Sequence, residues 1–387
     1  MNLIKALAGT LAATLLCGSA VAQFIDTEAE YAVIMDYDTQ DILFSKNGET
    51  PMIPASMTKI MTAHVVYEAI ENGEITLEDT LPVSERAWRE GGWATGGSTM
   101  GLAIGETPTV EDLLRGVIIL SGNDACIVLA EGLAGTEAAF ARRMTDMAHK
   151  MGLKSANFKN ASGLYEEGHV ISAADLARLA RMEIDKFPQY YKFYSEKEMT
   201  WNGISQGNRN PLLYSMEGAD GLKTGHLSVS GYGLTASAVR DGKRRILVVN
   251  GLDSMQARAD EGERLMRLAF TAFDTKTVQP TETPLASLPV WNGNVRTVGV
   301  KLGEPFRVAA HKLAFDNATT EIIYNGPLTA PIAAGDEIAT LSIVLEGKDA
   351  PVTVPLYATE DVAKLGFIGR AVEGLSLKLS GSDAADS

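Results

Sequence analysis

Between Thr275 and Pro289 the chain loses its periodicity: Thr275-Lys276-Thr277-Val278-Gln279-Pro280-Thr281-Glu282-Thr283-Pro284 is rich in Thr and Pro, as linkers are. That stretch divides the 387 residues into two parts of different pattern. Before it, from about Phe24 to Phe273, short β-rich runs such as Tyr31 to Met35 alternate with stretches of 3.6-residue periodicity, such as Thr109 to Leu120 and Ser172 to Glu183. One large α/β or α+β unit is expected there, over residues 24–275. Ser172 with Asp175 three residues on resembles a capping box, and Pro54 stands where a first helical turn begins. After the linker, Val295 to Lys301, Arg307 to Ala314, Glu321 to Tyr324, Glu337 to Leu345 and Val352 to Ala358 read as short strands, separated by turn signals that include Asn325-Gly326 and Glu346-Gly347. They predict a small β-sandwich or barrel over residues 285–360. With only Cys17 and Cys126, and 45% hydrophobic residues, both parts must be held by apolar cores and not by disulfides.

The two ends read differently. Residues 1–22 carry a basic start at Lys5, an apolar run from Ala6 to Cys17 and the small-residue exit Ala20-Val21-Ala22, the pattern of a cleaved secretory signal. The run is shorter than the roughly 20 residues that span a bilayer. Cleavage would remove Cys17 and Lys5, so the net charge of -15 would become -16. So acidic a chain has no nucleic-acid footprint. No later stretch approaches 18 consecutive apolar residues, which predicts an exported protein that is not integral to a membrane. In the last segment, residues 361–387, Val362, Leu365, Ile368, Val372, Leu375 and Leu379 fall at helical spacing ahead of an acidic tail. An amphipathic helix is expected there, either lying on a membrane surface or docked on the β part; Gly366, Gly369, Gly374 and the lack of Trp and Tyr argue against strong membrane binding.

The chemistry is announced by three short patterns. One S-x-x-K occurs, Ser56-Met57-Thr58-Lys59, directly after Pro54-Ala55 and at the head of an apolar run. On a helix, positions i and i+3 share a face, so Lys59 can reach the Ser56 hydroxyl and take its proton. The helix start also aims free backbone N–H groups at whatever reacts there. To act as a base the lysine must be neutral, which requires burial or a second cation. Ser121-Gly122-Asn123 follows an apolar stretch, and Lys223-Thr224-Gly225 precedes a β-like run. Each pattern alone is weak. In this order, with gaps of 121 − 56 = 65 and 223 − 121 = 102 residues, S-x-x-K, S-x-N and K-T-G together define the active-site serine enzymes that meet penicillin.

With these motifs, and with Asp124-Ala125-Cys126 and Asp220-Gly221-Leu222 around them, the chain resembles the low-molecular-mass penicillin-binding proteins that act as D-alanyl-D-alanine carboxypeptidases, from about residue 25 to 365. The resemblance implies an α+β fold: a transpeptidase/β-lactamase-like catalytic domain, a small all-β domain and a C-terminal amphipathic segment that anchors many members to the membrane. It also implies a periplasmic address, peripheral on the inner membrane where the anchor holds. Carried over, Ser56 is the acylated nucleophile and Lys59 its base, while Ser121 relays a proton to the leaving group. Asn123 holds the substrate amide. Lys223 supplies positive charge that depresses the pKa of Lys59 and draws the substrate carboxylate, to which Thr224 hydrogen-bonds. The N–H groups of Ser56 and His226 form the oxyanion hole. Arg258 binds the free C-terminal carboxylate, and Ser98, in Gly97-Ser98-Thr99, lies in a loop beside the site. No cofactor is implied, and peptidoglycan stem peptides and β-lactams are the implied partners.

Other readings follow from single residues. His64, His149, His169 and His311 show no paired metal-ligand spacing, so no metal site is expected and they read as core or surface histidines. Outside this site role Arg258 would be a surface charge in a polar helix, and Cys126 a buried packing residue. Competing functions are a β-lactamase, a D,D-endopeptidase on the same fold, and a non-catalytic wall scaffold. The absence of an E-x-x-L-N element and the intact motif set weigh against the first and last.

Overall fold

The structure, a computed structural model, describes residues 25–348 and 350–366. It divides into two compact units, Ile25–Phe273 and a second unit beginning at Asp274. The first unit is built on a five-stranded sheet of β1 (Tyr31–Asp36), β2 (Ile42–Lys46), β3 (Ala219–Leu227), β4 (Gly231–Arg240) and β5 (Lys243–Leu252), in the order β2-β1-β5-β4-β3, with β3 outermost. Alternation along β1 sends Val33 and Met35 to one face and Ala32 and Ile34 to the other, so the sheet carries a core on each side. One core receives α1 (Lys59–Glu71), α2 (Val110–Ile118), α3 (Asn123–Ala134) and α4 (Ala173–Lys186). The other receives α5 (Met255–Thr271) through Leu265, Met266 and Ala269.

Local chemistry explains the helix starts. Thr109, Ser172 and Ser254 cap α2, α4 and α5 by accepting hydrogen bonds from the backbone N–H three residues on. At Ser172 the predicted box is half-formed, because Asp175 turns to the Ser155 hydroxyl instead (2.6 Å). Helix α1 is buried almost all round, from Lys59 to Ala69, which makes it the central helix of its core. A short 3₁₀ turn, Ala55–Thr58, feeds straight into it.

The second unit contains β6 (Phe273–Val278, which starts at the boundary), β7 (Ala286–Trp291), β8 (Thr297–Leu302), β9 (Phe306–His311), β10 (Thr319–Ile323), β11 (Leu328–Thr329), β12 (Glu337–Val344) and β13 (Val352–Ala358). Six of them form a sheet in the order β10-β12-β13-β8-β7-β11, and β6 pairs with β9. Three details differ from the sequence reading. Strands β6 and β7 occupy much of the stretch that reads as linker, leaving 279–285 between them, and Pro289 sits within β7 opposite Thr297. Lys312–Asp316 forms a helical turn at the end of the strand expected to reach Ala314. Residues 361–366 are extended and not helical: Val362 is buried against Val290, Val298 and Ile332 and bridges to Ile332, and the Leu365 N–H donates to the Asn292 carbonyl (2.8 Å). Burial of Val362 in that core outweighs the helical spacing of the segment. The leader 1–22 and residues 367–387 lie outside the described residues.

Candidate active site

Ser56 sits in the 3₁₀ turn, one residue after Ala55, whose φ of 48° lies in the left-handed region. A non-glycine residue there costs about 1 kcal/mol, strain that well-packed functional sites commonly carry. Lys59 follows at the first position of α1 and is 1% exposed. Its Nζ is 2.9 Å from Ser56 Oγ, 2.8 Å from Asn123 Oδ1 and 2.6 Å from the Ser162 carbonyl oxygen. Two of those partners only accept. A neutral lysine can therefore keep both N–H bonds on Asn123 and Ser162 and direct its lone pair at the Ser56 hydroxyl. Burial brings its pKa down to about 8, with the Arg209 guanidinium pushing the same way.

Between α2 and α3 the chain turns sharply at Ser121, buried and at φ 58°, and then enters α3 at Asn123. The next residue, Asp124, is fully buried and gathers the neighbouring loop. It accepts from Thr99 Oγ1 (2.7 Å), Met100 N (2.8 Å), Gly101 N (2.8 Å) and Leu102 N (3.1 Å). The Ser98 carbonyl in turn accepts from Asn123 N (2.9 Å), and the Ser98 hydroxyl accepts from Arg209.

Strand β3 brings Lys223, Thr224 and Gly225 alongside the serine turn. A methyl group on Gly225 would lie 2.6 Å from the Pro54 carbonyl oxygen and 3.3 Å from the Ala55 methyl, so only glycine lets the strand approach this closely. Lys223 is 2% exposed, and its Nζ donates to the Thr224 carbonyl (3.2 Å). Burial, then Lys59, Arg209 and Arg258, hold its pKa well below the ordinary lysine value. Beyond Gly225, the exposed His226 ring stacks on Tyr232 at 3.8 Å between centroids. Arg258, on α5, lies 5.8 Å from the same Tyr232 ring. It is 6% exposed, its Nε is buried with no hydrogen-bond partner among the described residues, and burial lowers its pKa to about 10. A buried guanidinium donor left unpaired is costly unless a ligand completes it.

Several residues of the site have no motif of their own. Arg209, after the hairpin Glu198–Trp201/Ile204–Gly207, is a further cation that lowers the pKa of Lys59. Ser162 and Gly163 form a loop against the serine turn: Gly163 has φ +81°, and a methyl there would fall 1.9 Å from the Ala55 carbonyl oxygen. Cys126, on α3, is buried, and that burial pushes its thiol up to about 12, too high for a nucleophile. Among the described residues no cluster of His, Cys, Asp and Glu has metal-binding geometry. The position of Asp124 beside Asn123 was a usable signal; Arg209 and Ser162 carried none.

Residues 18–254 match the family described as D-alanyl-D-alanine carboxypeptidase, and residues 273–364 match the penicillin-binding protein 5 C-terminal domain. The D-alanyl-D-alanine carboxypeptidase DacC of Escherichia coli K12 is 36% identical, the match covering 91% of this chain and 88% of that protein. Penicillin-binding protein 5 of Haemophilus influenzae superposes with a TM-score of 0.74 at 33% identity, covering 88% of this chain and 99% of that one. Penicillin-binding protein D2 of Listeria monocytogenes in its ampicillin-bound form superposes with a TM-score of 0.57 at 30% identity, covering 64% of this chain and 99% of that one. Matched over most of both units, the chain belongs to the D-alanyl-D-alanine carboxypeptidase family of serine peptidases.

Proposed function

We infer that this chain is a serine-type D-Ala-D-Ala carboxypeptidase that releases the terminal D-alanine of peptidoglycan stem pentapeptides and is acylated by β-lactams. The observation that carries the reading is the placement of Lys59 Nζ, buried and 2.9 Å from Ser56 Oγ, with two other protein acceptors to hold its N–H bonds. Neutral Lys59 takes the Ser56 proton as Oγ bonds to the carbonyl carbon of the penultimate D-Ala. The N–H groups of Ser56 and His226 receive the negative charge that develops on the carbonyl oxygen. Collapse of the tetrahedral species breaks the C–N bond, and the departing amine takes a proton through Ser121. Water then hydrolyses the ester and restores Ser56.

Substrate capture uses the cations around the cleft. Burial and the neighbouring cations lower the pKa of Lys223, and an arriving carboxylate would favour its charged form, with Thr224 adding a hydrogen bond. Arg258, with its unpaired Nε, suits the free C-terminal carboxylate, and Asn123 suits the substrate amide. The Ser98 hydroxyl, which accepts from Arg209, and its carbonyl, bonded to Asn123 N, suit a further polar contact to the substrate. The leader pattern of residues 1–22 and a wall-peptide substrate together support an export route and a periplasmic site of action. No helix among the described residues is long and apolar enough to cross a membrane; the apolar spacing of residues 361–387 supports a peripheral attachment to the inner membrane. D-alanine release from a soluble pentapeptide ending in D-Ala-D-Ala tests the reading: wild type should release it and Ser56→Ala should not. No release from folded wild type would overturn it in favour of crosslinked substrates.

A further inference from the structure

We propose that His169 is a positioning residue for Lys59, bridging the nucleophile's own turn to the loop that holds the lysine. The ring is 1% exposed. Its Nδ1 accepts from the Lys159 N–H (3.2 Å), which fixes the tautomer: the proton resides on Nε2, and Nε2–H donates to Thr58 Oγ1 (2.8 Å). Thr58 lies between the nucleophile turn and Lys59, while Lys159 opens the segment that ends in the Ser162 carbonyl. The same loop is pinned on its other side, where Thr62 Oγ1 donates to the Ala161 carbonyl (2.6 Å) and Ala161 N donates to Glu137 (3.0 Å). The imidazole, at the start of the loop, and Thr62, at its end, together set the spacing between α1 and the loop, and with it the 2.6 Å contact of Lys59 Nζ to Ser162.

The surroundings keep the ring neutral, as this bridge requires. Burial, with Lys59 and Lys159 adding to it, lowers its pKa to about 4, and the Phe158 ring packs edge-on at 5.6 Å. A protonated ring would present a second N–H to the Lys159 N–H and lose that bond. Burial is the first cause of the lysine's low pKa, and the buried ring is bonded to Thr58, the residue next to Lys59. His169 therefore acts on the chemistry through Lys59, without touching substrate.

The proposal rests on the reading of Lys59 as the base for acylation, and one experiment separates the two. The second-order rate of acylation by a fluorescent penicillin is measured against pH for wild type, His169→Ala, His169→Gln and Thr58→Val, with a melting temperature for each. In His169→Ala, water reaching Lys59 should raise the acid limb by about one pH unit and lower the rate at pH 7 about tenfold. His169→Gln, whose amide N–H can stand where Nε2–H stood, should recover most of both. Thr58→Val, nearly the same shape, should reproduce the limb shift and combine non-additively with His169→Ala, which keeps the test open if His169→Ala does not fold. A folded Thr58→Val or His169→Ala protein with the wild-type limb would overturn the proposal alone. A wild type that is never acylated would overturn the serine-acylation reading and the proposal with it.

Discussion

A lysine becomes a base at ordinary pH only where its cation is made costly, and here the cost comes chiefly from burial. The S-x-x-K spacing shows in the sequence because i and i+3 on one helical turn must meet; the depth of burial and the Ser162 carbonyl do not, since they depend on a loop 103 residues away. Lys59 and Lys223 repel one another's charge, as the motifs lead one to expect, and Arg209, which no motif announces, lowers the pKa of both. The lone histidines likewise gave no hint that His169 would land against Thr58, in the turn that carries Ser56. The pKa of Lys59 has a direct kinetic consequence. Its folded value lies below the usual 10.5, so the neutral base is the minority form below about 8. Acylation of the wild type by a β-lactam should rise with pH through about 8 and then level off, and a flat profile between pH 6 and 9 would exclude Lys59 as the titrating base.

At the scale of elements, the site is a meeting of three backbones made possible by two glycines. Strand β3 reaches the serine turn at Gly225 and the 159–163 loop reaches it at Gly163, both at distances that exclude a methyl group. Gly163→Ala should therefore push the Ala55–Ser56 turn out of place and lower acylation by at least about tenfold, more than its effect on stability, because it adds both a clash and a left-handed alanine. Asp124 works differently. Removing its carboxylate in Asp124→Ala takes the side-chain acceptor from the Met100 and Leu102 N–H groups and leaves Gly101 N with Thr99 Oγ1 alone, and about 2–4 kcal/mol of stability should be lost, read as a fall in melting temperature. The K-T-G motif contains its glycine for this packing reason, which sequence order alone could not express. Elsewhere the elements misled: Pro280 and Pro284 disguised the strands on either side of them, and the helical spacing of Val362 and Leu365 was satisfied by two extended contacts instead.

At the scale of the molecule, every candidate catalytic group lies within Ile25–Phe273, a unit with its own two cores, while the cores of the β strands lie beyond it. A chain of residues 25–275 should keep D-alanine release from a small peptide within a few-fold of the full protein, measured as kcat/KM. The division into two units and the mixed-then-β order were legible from pattern alone, because periodicity survives without knowledge of contacts. The position of β3 was not, and it bears on solubility as much as on chemistry. An outermost strand offers unpaired backbone groups to any passing chain, which is how folded proteins begin to aggregate. Proteins usually blunt such edges with charged side chains or cover them, and here the serine turn packs against β3 at Gly225, where residues 221–225 are buried. Beyond that cover the protein meets its neighbours with a formal charge of -15, so that copies repel: colloidal stability is carried by the whole surface and not by the shielding of one strand.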